Sequence, residues 1–231
     1  MRMLFAAALL ATAVAVPALA ETRDYRVGGF DRINSAGPWD VRVWTGRGPA
    51  VKANAPQDVL DRLTIEVRGG ELFIGSKSGS WLKPWNWGKG SHTVIDVNVP
   101  ALAGFRLSGP GDVTIDRVKS AAFTGKISGP GDITIGAVEA GRLDLSISGP
   151  GNFILAGKAG PTRVSISGPG DVKGGNLTVG DIDVSVSGPG TVILTSFGSA
   201  TGTISGPGDV RIGGHPRCNI RTSGPGDVKC G

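Results

Sequence analysis

Over much of the chain, apolar and polar residues take turns. Leu143, Leu145 and Ile147 are separated by Asp144 and Ser146, and Phe153 and Leu155 flank Ile154. Val164 and Ile166 lead into Val172, and Ile182, Val184 and Val186 lead into Val192 and Leu194. Such alternation over roughly four to eight residues predicts half-buried strands, because successive side chains of a strand point to opposite faces. The pattern is less evenly spaced in the first hundred residues. It marks Asp40-Val41-Arg42-Val43-Trp44, Leu63-Thr64-Ile65-Glu66-Val67, Leu72-Phe73-Ile74 and Thr93-Val94-Ile95-Asp96-Val97-Asn98-Val99. Residues 51–63 are polar and contain Pro56, which predicts a loop or a short helix.

A repeat runs through the alternation. Ser-Gly-Pro-Gly occurs seven times, starting at Ser108, Ser128, Ser148, Ser167, Ser187, Ser205 and Ser223, in steps of 20, 20, 19, 20, 18 and 18 residues. A degenerate relative, Ser35-Ala36-Gly37-Pro38-Trp39-Asp40, lies near the N-terminus. In Gly109-Pro110-Gly111-Asp112 and Gly129-Pro130-Gly131-Asp132, proline suits the second position of a tight turn. Glycine after it would supply the positive φ of a type II turn. Each unit then reads as strand, corner, strand and connection.

In a meander or sandwich the turns alternate between ends and need not be identical. In a parallel β-helix one corner recurs in every coil and stacks on itself. The constant tetrapeptide therefore predicts an all-β fold, a parallel β-helix, and the handedness of parallel crossovers makes it right-handed. One coil cannot bury its own apolar face, so the coils need each other. Residues 101–231 are expected to hold the regular coils. Residues 21–100 would supply a less regular N-terminal cap and the first coils, the whole forming one domain.

Residues 1–20 read differently. Arg2 precedes an apolar run at residues 4–16, broken by Pro17 and followed by Ala18-Leu19-Ala20. The run is too short for a bilayer, which needs ~20 residues, and the order of features is that of a secretory signal peptide. The expected location is outside the cytoplasm, in the periplasm, secreted or at the cell surface. No later stretch is expected to span a membrane.

Composition sharpens this picture. Glycine makes up 39 of 231 residues, far above the usual ~7%, and charged residues make up 19%. That much glycine weakens helices. Without residues 1–20 the net charge falls from +5 to +4. No Lys/Arg run forms a nucleic-acid groove, so nucleic acid is excluded as a partner.

Phe30-Asp31-Arg32-Ile33, Leu72-Phe73-Ile74, Val97-Asn98-Val99-Pro100-Ala101-Leu102 and the repeated Ser-Gly-x-Gly-Asp carry a resemblance. Over nearly the whole mature chain the sequence resembles the putative auto-transporter adhesin, head GIN domain family, a bacterial domain of unknown function. The resemblance implies a pectin-lyase-like β-helix without that fold's catalytic residues, and an adhesive role. The family's S-G-S-G-D has its middle Ser replaced by Pro here, which should stiffen the corner.

Little in the sequence promises catalysis. The Ser before each corner forms a column, but His92 and His215 are the only histidines and neither sits in a Ser-His-Asp pattern. Hydrogen bonding between coils is the expected role of that Ser. Arg106, Asp116, Arg117 and Lys119 lie near the first full coil without pairing into a site. Asp follows the corner at Asp112, Asp132, Asp171, Asp209 and Asp227, with Asn152 and Thr191 in the other copies. A carboxylate column calls for an offset, either a cation such as Ca²⁺ or bonds to N–H groups of the turn, which Asn and Thr also make. The substitutions favour the turn. No cofactor and no metal are expected.

The best candidate for recognition is the Gly/Ser/Pro-rich segment of Trp81, Lys83, Trp85, Trp87 and Lys89. Large aromatics in such a loop suit a glycan or a cell-envelope component as partner; the alternative is that the rings cap the open core. Cys218 and Cys230 flank the last corner with inward parity; export would oxidise them to a disulfide, the alternative being reduced thiols packed as small hydrophobes. The sequence leaves the oligomeric state open. It predicts a noncatalytic exported module for adhesion or envelope interaction, with a polysaccharide-active enzyme or a purely structural periplasmic scaffold as the alternatives.

Overall fold

The computed structural model describes residues 20–77 and 93–231. The segment predicted as a signal peptide lies outside the described residues, apart from Ala20. Among the described residues, nineteen strands are joined in one continuous hydrogen-bonded series, with a single four-residue helix. The early strands are β1 (Glu21–Tyr25), β2 (Arg32–Ser35), β3 (Asp40–Thr45), β4 (Ala50–Ala55), β5 (Leu63–Arg68), β6 (Glu71–Ser76), β7 (Val94–Val99) and β8 (Gly104–Leu107). Two long strands follow, β9 (Val113–Ile127) and β10 (Ile133–Ile147), each bending around most of a coil. The later coils are β11 (Phe153–Ala159), β12 (Thr162–Ile166), β13 (Val172–Val179), β14 (Ile182–Val186), β15 (Val192–Ser196), β16 (Ser199–Ile204), β17 (Val210–Gly214), β18 (Arg217–Thr222) and β19 (Val228–Cys230).

From β9 on, every pairing is parallel and links one coil to the next, so the molecule is a parallel β-helix. One wall holds the strands before each corner, from β2 and β8 through β12, β14 and β16 to β18. A second wall holds the strands after it, from β3 through the starts of β9 and β10 to β11, β13, β15, β17 and β19. Register puts inward residues in columns. Val41, Val113, Ile133, Phe153, Val172, Val192 and Val210 stack along one wall, all nearly inaccessible. Bulk is shared between coils. Phe153 fills the space that a side chain on Gly125, a coil away, would need.

The corners lie in one column, and their glycines work differently from the sequence expectation. No glycine of a Ser-Gly-Pro-Gly corner has positive φ, so these are not type II turns of the expected kind. The reason for glycine is close approach. A Cβ on Gly168 would sit 2.6 Å from the Gly149 carbonyl oxygen, and one on Gly188 would collide with Gly168 O. The collision recurs from Gly109, against Gly37, to Gly224, against Gly206. Eight corners thus pack backbone on backbone, beginning with the degenerate copy at residues 35–40. There Trp39 stands where the other copies have glycine. Its ring is buried over Gly37, on the side where the other corners receive the preceding coil, and its Nε1 donates to Ser35 Oγ at 3.0 Å.

Antiparallel strands border the N-terminal end. β1 pairs with β4, β4 with β7, and β5 with β6. Residues 51–63 hold both most of β4 and the helix, α1 (Gln57–Leu60), so the expected loop or helix is part strand. Val59 and Leu60 of α1 are buried. Arg23 ties the helix down, donating to Leu60 O and pairing with Asp61 at 2.8 Å.

Candidate functional site

The corner residues build a ladder along the rod. The Asp112 carboxylate accepts the backbone N–H of Asp132 at 2.9 Å, and Asp132 accepts that of Asn152 at 2.7 Å. Asn152 Oδ1 accepts from Asp171, and Asp171 from Thr191. Asp40 begins the series under Asp112, and Asp209 continues it under Asp227. In return, each carbonyl at these positions accepts the N–H that follows the corner one coil earlier, as from Val113 to Asp132 O. The side chain therefore bonds the neighbouring coil, where the sequence reading had put the bond within its own turn. Lys173, Arg211 and Lys229 lie within 3.5, 3.4 and 4.0 Å of Asp171, Asp209 and Asp227 and offset part of the charge. Among the described residues no three His, Cys, Asp or Glu side chains converge as metal ligands would.

The column of serines before the corners also bonds between coils. Each backbone N–H donates to the coil before, as Ser128 does to Leu107 O at 2.9 Å. The hydroxyls of Ser108, Ser167 and Ser223 reach the preceding coil's carbonyls at 3.3–3.4 Å. His215 is exposed; His92 lies outside the described residues.

Among the described residues three charged groups are perturbed, each by a structural partner. Asp61 raises the pKa of Arg23, and Asp144 raises that of Arg142, in both cases chiefly through a side-chain hydrogen bond. The N–H and hydroxyl of Ser199 lower the pKa of Asp181, with help from Arg217. Arg23 ties β1 to the end of α1, Arg142 and Asp144 pair along β10, and Asp181 bonds the start of β16, so each shift has a structural partner.

Trp81, Lys83, Trp85, Trp87 and Lys89 lie outside the described residues. Their surroundings are defined on both sides: β6 pairs with β2, which enters the first corner, and β7 pairs with β3, which leaves it. β6 and β7, the described strands on either side of it, thus lie at the N-terminal end of the corner column. Cys218 and Cys230 are joined by a disulfide with Cα atoms 6.5 Å apart. Register stacks Cys218 on buried Ala200 and Cys230 on buried Ile212. Cys218 is nonetheless exposed, because no further coil covers it.

Sequence reasoning missed a second aromatic site. Trp44 and Asn98 face each other across β3 and β7, with Ala50 of β4 next in the row. A parallel row holds Arg42, Asp96, Lys52 and Asp24. Arg42 pairs with Asp96 at 2.8 Å and Lys52 with Asp24 at 3.3 Å. Gly46, with φ +76°, turns the chain so that the Arg47 guanidinium lies 5.3 Å from the centre of the Trp44 ring. Trp44 is 38% exposed, and the recess beside it measures about 380 Å³. Its members come from four strands and from both sides of the Trp81 segment, so only the tertiary pairing brings them together.

The family model described as putative auto-transporter adhesin, head GIN domain matches residues 29–216. The chain belongs to this family. Solved structures share the fold. A putative adhesin from Bacteroides fragilis aligns with TM-score 0.83 at 21% identity, over 91% of this chain and 96% of its own. A putative lipid binding protein from Parabacteroides distasonis aligns at 0.68 and 18%, covering 93% and 98%. A putative adhesin from Parabacteroides merdae aligns at 0.68 and 17%, covering 92% and 96%. No curated protein matches the chain. Among the described residues no helix is long and apolar enough to cross a membrane.

Proposed function

We propose that the protein is a noncatalytic, exported β-helix module for adhesion or cell-envelope interaction. The observation that carries this reading is how the rod spends its polar groups. Corner carboxylates are engaged by N–H groups of the next coil, and the wall pairs Arg142–Asp144 and Arg163–Asp183 satisfy each other. A polysaccharide-active enzyme needs convergent acids and bases facing a cleft. What the rod offers among the described residues is a long surface of stacked strands, with Trp44 exposed near its N-terminal end. The family's description and those of its structural relatives point the same way. The leader-like residues 1–20 support export.

In this reading Trp81, Trp85 and Trp87, with Lys83 and Lys89, form the contact surface for a glycan or envelope component, and the disulfide clamps the opposite end. Replacing Trp85 and Trp87 by Ala is expected to abolish retention on a cell-envelope preparation and leave the melting temperature nearly unchanged. Rings that only cap the core would instead lower stability by roughly 3–5 kcal/mol. Fractionation of the native cell should find the protein outside the cytoplasm. New reducing or unsaturated ends after incubating glycan with pure protein would overturn the noncatalytic reading.

A further inference from the structure

We infer that the recess at Trp44 is a second recognition site, built on the coil wall for one pyranose ring of an acidic glycan. This rests on the adhesion reading above but uses different residues. The Trp81 segment joins β7 at its corner end, whereas Asn98 and Trp44 lie near its far end, roughly 13 Å along the strand.

Four observations carry the inference. First, Trp44 is a large apolar ring left exposed in a recess, not covered by the core. Such a ring accepts the C–H face of a pyranose, and Trp characteristically pairs an apolar body with a polar setting. Second, the groups around it match a sugar's rim. Asn98, directly across from Trp44, offers a donor and an acceptor on one amide. The Arg42–Asp96 pair offers donors and an acceptor side by side. Third, Ala50 is small where the row needs space, so the floor beside Asn98 stays open. The recess of about 380 Å³ falls within the ~300–1,000 Å³ of small-molecule sites.

The fourth observation is charge. Arg42 is offset by Asp96 and Lys52 by Asp24, while Arg47 touches the Trp44 ring and has no carboxylate partner among the described residues. The site therefore carries one uncompensated positive charge held against the aromatic platform. A sugar with a carboxylate, such as a uronic acid, would draw the Arg47 guanidinium from over the Trp44 ring to its charge and seat its own ring there. The paired charges and the amide argue against an acyl chain, which would have to bury them without return.

The test is an array of acidic and neutral oligosaccharides, uronate-containing and uronate-free, probed with the whole mature protein. Anionic phospholipid vesicles form a separate arm. Wild type should bind acidic pyranosides above neutral ones. Trp44→Ala should weaken binding about tenfold or more and Trp44→Phe by much less, and Trp44→Phe, which keeps a ring on the wall, should melt close to wild type. Arg47→Ala should lower acidic binding and spare neutral binding. The inference is overturned if wild type binds no acidic sugar on the array, if Trp44→Ala binds as wild type does, or if only the vesicles respond to Trp44→Ala. It is also overturned if Arg47→Ala affects both sugar classes equally. Trp85→Ala with Trp87→Ala separates the two readings. If that change alone removes envelope retention and Trp44→Ala has no effect, the segment reading stands and the wall site falls. The opposite pattern preserves the wall site.

Discussion

At the N-terminal end of the rod, α1 buries Val59 and Leu60, and the antiparallel strands β1, β4 and β5 border the outermost parallel coil. At the C-terminal end, Ile220, Val228 and Cys230 pack against the core yet remain partly exposed, and the Cys218–Cys230 disulfide joins the last two strands. The interior coils need neither device. Each is held from both sides by backbone ladders and a glycine corner, so a solenoid's weak points are its ends. One end is closed by buried apolar surface and the other by a covalent bond.

The first way to break this contrast is to disturb the interior. Gly168→Val or Gly170→Val places a side chain against the Gly149 or Gly151 carbonyl with coils packed on both sides. It should cost roughly 3 kcal/mol or more in a denaturant titration, the upper range for overpacking. The same change at Gly224 should cost less, because the final coil can move away. Pro169→Ala should cost only about 0.4–1 kcal/mol, since it mainly frees the unfolded chain.

Next is the covered end. Leu60→Ala should lower stability by about 2–5 kcal/mol as a buried large-to-small change. Ile220→Ala, half-exposed at the other end, should cost well under half of that. Equal losses would mean that α1 does not close the core.

A smaller effect is expected where the corner ladder is interrupted. Thr191 has no carboxylate or amide oxygen to offer the N–H of Asp209. Thr191→Asn should add about 0.5–1.5 kcal/mol, the net worth of a typical hydrogen bond, read as a higher denaturant midpoint. No gain would show that the ladder is a consequence of stacking and not a support for it.

The smallest is a pH effect near the disulfide-bearing end. Asp181 has its pKa lowered by Ser199, which opens β16, and by Arg217, which opens β18. A lowered folded pKa means stability that is present above the unfolded value and lost as pH falls through the folded one. The melting-temperature gap between wild type and Asp181→Ala should therefore be widest at neutral pH and close below about pH 4. A gap that is constant with pH would remove the charge from the explanation.

The stacked coils were legible because the even pitch of Ser-Gly-Pro-Gly and the alternation around it repeat the same information seven times. The purpose of the corner glycines was misread. A glycine after proline is equally compatible with positive φ and with a carbonyl pressed against its Cα, and only the neighbouring coil distinguishes them. The cap was less legible, since pairings such as Glu21 with Ala55 join residues with no shared period. The Trp44 recess was not legible at all. Its alternation identifies Trp44 as outward-facing, but nothing local says that Asn98, Arg42 and Asp96 lie beside it. Trp39 is visible in the sequence as part of the degenerate corner motif, but nothing local says that its ring covers Gly37 where the other corners receive a preceding coil.

The claim that the ends are closed by different means is tested most directly by amide hydrogen exchange along the native rod, with and without a reductant. The account predicts that reduction speeds exchange in β18 and β19 by about two orders of magnitude, corresponding to the ~3 kcal/mol of a closed loop of this length. Exchange in β9, β10 and the strands beside α1 should stay as it was. Unchanged exchange in β18 and β19, or an equal acceleration throughout the rod, would contradict it.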